Sequence, residues 1–395
     1  MSEIFHIYAS QGRNNYAELG LPASDYEMLD LMERLRLEPG QPPYLEILRY
    51  DEKYDYLEKC IQDLPDIYQL NALARKLAEF TSSQDMASFE GLVGKEMENG
   101  DESIELSRLI DFAHSTDCCY VAEGAETDFQ LGKFLVENDF IEEANGLSES
   151  MLALLDFGKI GREHREQEDG VYTSFGYVEQ HSEIHHVSET MDFQPRKPDY
   201  TILLNMAARP LNGRIQDIDI LRVRLPAPAE QMQEVMGTLG TNDWNDVVVS
   251  ILDCAVPERK HEMYLDGELP QLMELAQCLS ELEGQGKIPK YKALLAAKEC
   301  NDLTQMVDLA ATVDEYILEP KISAPEDVAR GELNVILCDQ DAATLLPHID
   351  LIGYGRALLE RDQAMITVYG LLERNKSQMV QDMGQKNDPG GMVLM

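Results

Sequence analysis

The residues best suited by type to chemistry lie in the stretch His181-Ser-Glu183-Ile-His185-His186. Three imidazoles and a carboxylate within six residues suggest a metal site, and a bound metal would suggest a hydrolase built on these four side chains. The spacing argues against it. His181 and His185 stand in a His-x3-His pattern, but Glu183 is displaced from the position a His-Glu-x-x-His zinc site requires. The expectation is an exposed polar turn without metal.

Other catalytic patterns fail in similar ways. Gly353-Tyr-Gly355 lacks the third glycine of a dinucleotide loop. No phosphate-binding loop or Gly-x-Ser-x-Gly elbow is present. Asp156 with Arg162, and Asp350 with Arg356, read as ion pairs or caps beside Gly161 and Gly355. The two glycines read as helix or turn ends with positive φ. No catalytic residue and no cofactor site is expected.

Carboxylates dominate instead. The chain has 395 residues, with 73 acidic against 33 basic, a formal charge of −40. The segment 81–160 is densest, with 18 acidic and 4 basic residues, or −14. Within it Asp101, Glu102, Glu105, Asp111, Asp117, Glu123, Glu126, Asp128, Glu137, Asp139, Glu142 and Glu143 are spread along the chain rather than converging on a point. A calcium loop would need Asp-x-Asp-x-Asp-Gly spacing, which is absent. Spread carboxylates can imitate phosphates: duplex DNA carries about one charge per 1.7 Å, so forty charges match about 20 base pairs. Such a field repels nucleic acid and anionic lipid and attracts basic surfaces. Solubility alone is the plainer use of the same charge.

The elements that must position these groups occur twice. Leu21-Pro22-Ala23 returns as Leu225-Pro226-Ala227, and Met28, Leu31, Met32 and Leu35 return as Met232, Val235, Met236 and Leu239. Leu70-x-x-Leu73-Ala74-x-x-Leu77 returns as Leu272-x-x-Leu275-Ala276-x-x-Leu279. Asp156, Gly161, Arg162, Thr173 and Gly176 return as Asp350, Gly355, Arg356, Thr367 and Gly370. The series is colinear, which indicates two diverged copies of one unit. The expected units are 1–187 and 200–372, joined by a linker at 188–199 and followed by a polar tail at 373–395.

Each copy opens on a strand, at Ile4–Tyr8 and Tyr200–Leu204. Ser24 and Glu27 have capping-box spacing before a helix whose Met28, Leu31, Met32 and Leu35 share one core face. Strands at Tyr44–Leu48 and Val247–Leu252 follow, then the two Leu-x-x-Leu-Ala-x-x-Leu helices. Thr127 caps a further helix. Val171–Val178 and Met365–Leu372 read as closing strands. The mixture lacks βαβ alternation, so the class is α+β: tandem units of small mixed subdomains, elongated and acidic.

Seven cysteines, none spaced Cys-x-x-Cys, argue against a disulfide framework and for a reducing cytoplasm. No signal peptide and no membrane-length apolar run is visible.

Several stretches resemble the ArdA antirestriction proteins of conjugative elements and phages. These are Ser115-Thr-Asp117-Cys118 followed by the helix Phe129–Asn138, Leu155-Asp156-Phe157-x3-Gly161-Arg162, and Gly170-Val-Tyr-Thr-Ser-x-Gly176-Tyr177. In the second copy Tyr354-Gly355-Arg356-Ala357-Leu358 fits the family's Tyr-Gly-Arg-Asp-Leu-like segment, and Ile4–Tyr8 and Leu70–Leu77 fit more loosely. Cys119-Tyr120 departs from the acidic pair that the family shows after its Asp-Cys. The resemblance implies a non-enzymatic mimic of bent DNA that occupies the DNA groove of type I restriction-modification enzymes, without cofactor or membrane. Family members are single units that dimerise, whereas here two units are fused in one chain; the partners expected are the restriction enzyme and, secondarily, a second copy as a homodimer. Mimicry aimed at another basic partner, or an assembly role in a mobile element, are the alternatives.

Overall fold

A computed structural model describes residues 2–37, 42–61, 66–98, 103–144, 146–208, 220–260, 263–264, 268–300 and 302–375. Asp101, Glu102 and the expected tail beyond 375 lie outside the described residues.

The chain first runs β1 (Phe5–Gln11), β2 (Asn15–Leu21), α1 (Asp25–Leu35), β3 (Tyr44–Tyr50), α2 (Ile67–Leu77), α3 (Ser83–Glu98), α4 (Leu106–Ala113), β4 (Cys119–Glu123), α5 (Asp128–Glu137), α6 (Glu149–Leu152), α7 (Phe157–Glu168), β5 (Val171–Thr173) and β6 (Gly176–Gln180). It continues β7 (Ile202–Ala208), β8 (Leu221–Leu225), α8 (Ala229–Leu239), β9 (Val247–Cys254), β10 (Met263–Tyr264), α9 (Leu269–Gly284), α10 (Ile288–Lys298), α11 (Leu303–Thr312), β11 (Tyr316–Glu319), α12 (Pro325–Ile336), α13 (Asp339–Leu345), α14 (Leu351–Asp362), β12 (Met365–Thr367) and β13 (Gly370–Arg374). With β10 set aside, the second series has the same order of strands and helices as the first. Among the described residues four small sheets result, ordered β2-β1-β3, β4-β6-β5, β10-β9-β7-β8 and β11-β13-β12. Helices with small sheets, antiparallel in the last three, make the class α+β.

Packing divides the chain into two compact units. One comprises Met1–Ala9, Glu18–Ala23 and Pro42–Pro195; the other comprises Ser10–Ala17, Ser24–Gln41 and Arg196–Met395. The break at Pro195 falls inside the expected linker. The units are nevertheless not the linear 1–187 and 200–372, because α1 groups with the second. The reason is local. Tyr26 belongs to the second core, which also contains Leu204, Met232, Ile251 and Leu275, and Leu29 packs against that core. The Ser24 hydroxyl donates to Asp253 at 2.6 Å.

The capping box of α1 is present: the Glu27 amide donates to Ser24 Oγ at 3.2 Å, and the Ser24 amide to Glu27 Oε2 at 2.7 Å. Both Leu-x-x-Leu-Ala-x-x-Leu sets are buried, in α2 and α9, as their spacing requires. Met28, Leu31 and Leu35 are buried on α1, whereas Met32 is only partly so. Thr127 caps α5 by accepting from the Gln130 amide at 3.3 Å.

The Asp-x4-Gly-Arg motifs differ from expectation. They are not terminal turns; each opens and runs through a helix, α7 or α14. Asp156 accepts from the Lys159 amide at 3.0 Å, and Asp350 from the Gly353 amide at 2.9 Å, so each aspartate is an N-cap. Gly161 and Gly355 are buried within those helices because another helix crosses there. A Cβ on Gly161 would lie 1.9 Å from the Asp128 carbonyl oxygen, and one on Gly355 1.9 Å from that of Pro325. Positive φ belongs instead to Gly176 (146°) and Gly370 (134°). These glycines turn each expected closing strand into a hairpin, β5–β6 or β12–β13.

Candidate partner-binding face and a thiol–imidazole–carboxylate cluster

The acids of 103–143 ride on α4, the single 3-10 turn Thr116–Cys118, β4, α5 and a second such turn, Glu142–Ala144. Glu105, Glu123, Glu126, Glu137, Asp139, Glu142 and Glu143 are exposed. Glu123 accepts from the Ser83 hydroxyl at 2.6 Å, and Glu137 lies 3.6 Å from Lys133. Two acids expected on this face serve the fold instead. Asp111 is 4% exposed and accepts from the Ser188 amide at 2.8 Å. Asp128 binds Arg165 at 2.9 Å, Arg162 at 3.5 Å and the Tyr172 hydroxyl at 2.8 Å. The bond from Arg165, then that from Tyr172, holds the Asp128 carboxyl down at about 2. Arg162 therefore pairs with Asp128 rather than Asp156, and Arg356 is exposed.

Exposed aromatics interleave with these acids: Tyr120, Phe129 and Phe140. A groove of about 610 Å³ opens among Tyr120, Leu131, Phe134, Phe140 and Tyr177, with Glu123, His164 and Glu179 at its polar side. His164 Nε2 sits 2.8 Å from Glu179, and that hydrogen bond raises the imidazole above its usual range. Below the groove lies a small core of Ala122, Ala125, Leu131, Leu135 and Tyr177. Sequence reading missed this groove, because its lining comes from β4, α5, α7 and β6 at no fixed spacing.

The histidine stretch is split by the fold. The His181 ring lies against Tyr120, with centroids 4.1 Å apart, and His186 faces Asp111 at 3.5 Å. The Glu183 side chain is exposed. Of the three histidines, His185 alone meets two other ligand-type groups at once. Its Nε2 lies 3.2 Å from Asp117 Oδ1 and 3.6 Å from Cys118 Sγ, and Sγ lies 3.9 Å from that Oδ1. Among the described residues these three form the one close group of metal-ligand type. The Cys118 thiol donates to the Glu183 carbonyl at 3.1 Å. Two buried side chains place the His185 segment: Ser115 Oγ accepts from the His185 amide at 2.8 Å, and Asp111 from the Ser188 amide. The sequence signal was the pair Asp117-Cys118, but nothing in it names a partner 67 residues away.

In the second series the matching turn, Val313–Glu315, holds Asp314 and Glu315. Asp314 lies 2.6 Å from Lys287, whose hydrogen bond draws its carboxyl below the usual range. All seven cysteines are free thiols. Among the described residues no helix is long and apolar enough to cross a membrane.

No family model matches the chain, and no curated protein matches it.

Proposed function

We propose that the chain is a non-enzymatic binding protein whose acidic face, on residues 105–143, occupies a basic groove that otherwise holds DNA. The observation that carries this reading is the run of exposed carboxylates from Glu105 to Glu143 on successive short elements, with few cations among them. A lysine- and arginine-lined groove built for phosphates meets such a surface without rearrangement. The resemblance of residues 115–177 to ArdA proteins directs the proposal to the DNA groove of type I restriction-modification enzymes. The exposed Tyr120, Phe129 and Phe140 add contacts of the kind that anchor protein interfaces, which favours a protein partner over solubility alone.

The test is competition. Labelled duplex bound to a purified type I enzyme should be released by the full chain, less so as salt rises, because exposed charge pairs are screened within about 8 Å at physiological ionic strength. Failure to displace duplex at low salt, at micromolar protein, would exclude this target. Displacement of DNA from an unrelated basic protein, with none from the type I enzyme, would retain mimicry and change the partner.

A further inference from the structure

We infer that Asp117, Cys118 and His185 bind one divalent cation of the zinc class, tying the segment 181–188 to the turn that follows α4. The site is separate from the partner-binding role above and gives Asp117 a different task from phosphate mimicry.

The geometry suits the ion. A tetrahedral zinc, with bonds of about 2.3 Å to sulfur and about 2.0–2.2 Å to nitrogen and oxygen, needs ligand-to-ligand edges of about 3.3–3.6 Å. The three edges here are 3.2, 3.6 and 3.9 Å. Only the sulfur–oxygen edge is long, and the Asp117 side chain, 73% exposed, is free to close it. Thiolate, imidazole and carboxylate together suit zinc, whereas magnesium and calcium take oxygen donors.

The same distances disfavour a cysteine–histidine–aspartate relay. In a relay the carboxylate bonds one ring nitrogen and the thiol the other. Here both approach Nε2, so three donor atoms surround one point. Cation binding would replace the thiol's bond to the Glu183 carbonyl, releasing that proton to solvent, with His185 neutral and Asp117 charged. Asp117 and His185 are exposed, so water can supply the fourth ligand. Ser115 and Asp111, both buried, already hold the His185 segment in place, which lowers the ordering cost. The second series has no cysteine at the corresponding turn and pairs its aspartate with lysine, so one ion per chain is expected.

The experiment uses the full chain, stripped with chelator and titrated with cobalt(II) near neutral pH. The expected result is a thiolate-to-cobalt charge-transfer band that saturates at one equivalent and is bleached by zinc. Cys118→Ser should abolish the band. Because Cys118 is buried and packed in the fold, Asp117→Asn, at an exposed side chain, is the second variant. It should weaken binding by at least the about 10–100-fold that loss of a supporting partner costs. Absence of the band in the native chain overturns the proposal. So does cobalt uptake that survives in Cys118→Ser and falls in the double variant His181→Ala/His186→Ala, which would assign the ion to surface imidazoles.

Discussion

Lys292 Nζ lies 2.8 Å from Asp30 Oδ1, and both residues are buried, at 3% and 5% exposure. Glu33 approaches the same ammonium at 2.9 Å, and the Tyr369 hydroxyl donates to Asp30 at 2.9 Å. Burial disfavours the charged lysine, but the two carboxylates outweigh it and hold Lys292 above its usual range. Lys292→Ala should cost about 3–5 kcal/mol, because it strands the buried Asp30 carboxylate in the interior and leaves the half-buried Glu33 without its ammonium. Neutralising all three with Lys292→Met, Asp30→Asn and Glu33→Gln should cost less than the single change. Urea unfolding measures both, and a loss below about 1 kcal/mol for Lys292→Ala would refute the assignment of a buried charge network.

The helix crossings make a sharp contrast among glycines. Gly161→Ala and Gly355→Ala each drive a methyl into a backbone carbonyl and should cost about 1–3 kcal/mol. Gly331, exposed on α12, has nothing within 4 Å of a built Cβ, so Gly331→Ala should stabilise by about 0.5–1 kcal/mol. Thermal melts of the three variants check the order, and an unharmed Gly161→Ala would mean that the crossing is looser than described.

Two ion pairs should respond to pH with opposite sign. The Asp128 carboxyl is depressed to about 2, so its stabilisation is present above the unfolded value near 4 and is lost as pH falls toward about 2. The His164 imidazole is raised by Glu179, so its stabilisation is full below the unfolded value near 6.5 and is lost as pH rises through the folded one. Comparing the native chain with Asp128→Asn and His164→Asn across pH measures both. The expected advantage over Asp128→Asn vanishes in acid, and that over His164→Asn vanishes in base.

For the proposed partner, neutralising Glu105, Glu123, Glu126, Glu142 and Glu143 together should weaken competition with DNA. Each exposed pair contributes about 0.2–1 kcal/mol, so five lost together predict a loss of about fivefold or more, and a shallower salt dependence. Phe140→Ala should lower affinity while leaving the salt slope intact. Asp128 is kept out of the set, since its loss tests the fold. Equal competition by the fivefold variant and the native chain would remove the acidic face from the mechanism.

Much of the fold was legible because local rules governed it. The Ser24–Glu27 box, the Thr127 cap and the buried leucines of α2 and α9 all follow from spacing along one element. The Gly161 environment was not, since a mid-helix glycine and a terminal glycine look alike until the crossing helix is known. The second glycine of each motif set, Gly176 or Gly370, carried the turn instead. At the candidate site the acid-rich run was visible, but not which acids the fold consumes: Asp111 is held by the Ser188 amide, and Asp128 is paired with Arg162 and Arg165, all from distant positions. The meeting of His185 with Asp117 and Cys118 was likewise a product of tertiary placement.

The membership of α1 in the second unit also sets an order of events during synthesis. Tyr26 and Leu29 leave the ribosome long before Leu204, Met232, Ile251 and Leu275, residues of the core they join. At about 5–20 residues per second, the wait from α1 to β7 is about 8–35 s. Through that interval the growing chain carries Tyr26 and Asp30 without their folded-state partners. Ribosome-stalled chains ending near residue 195 should be cut by protease within α1, and released full-length chains should resist. A gene split at the linker would yield a C-terminal product with Lys292 unanswered, so the two halves are made in sequence but mature together.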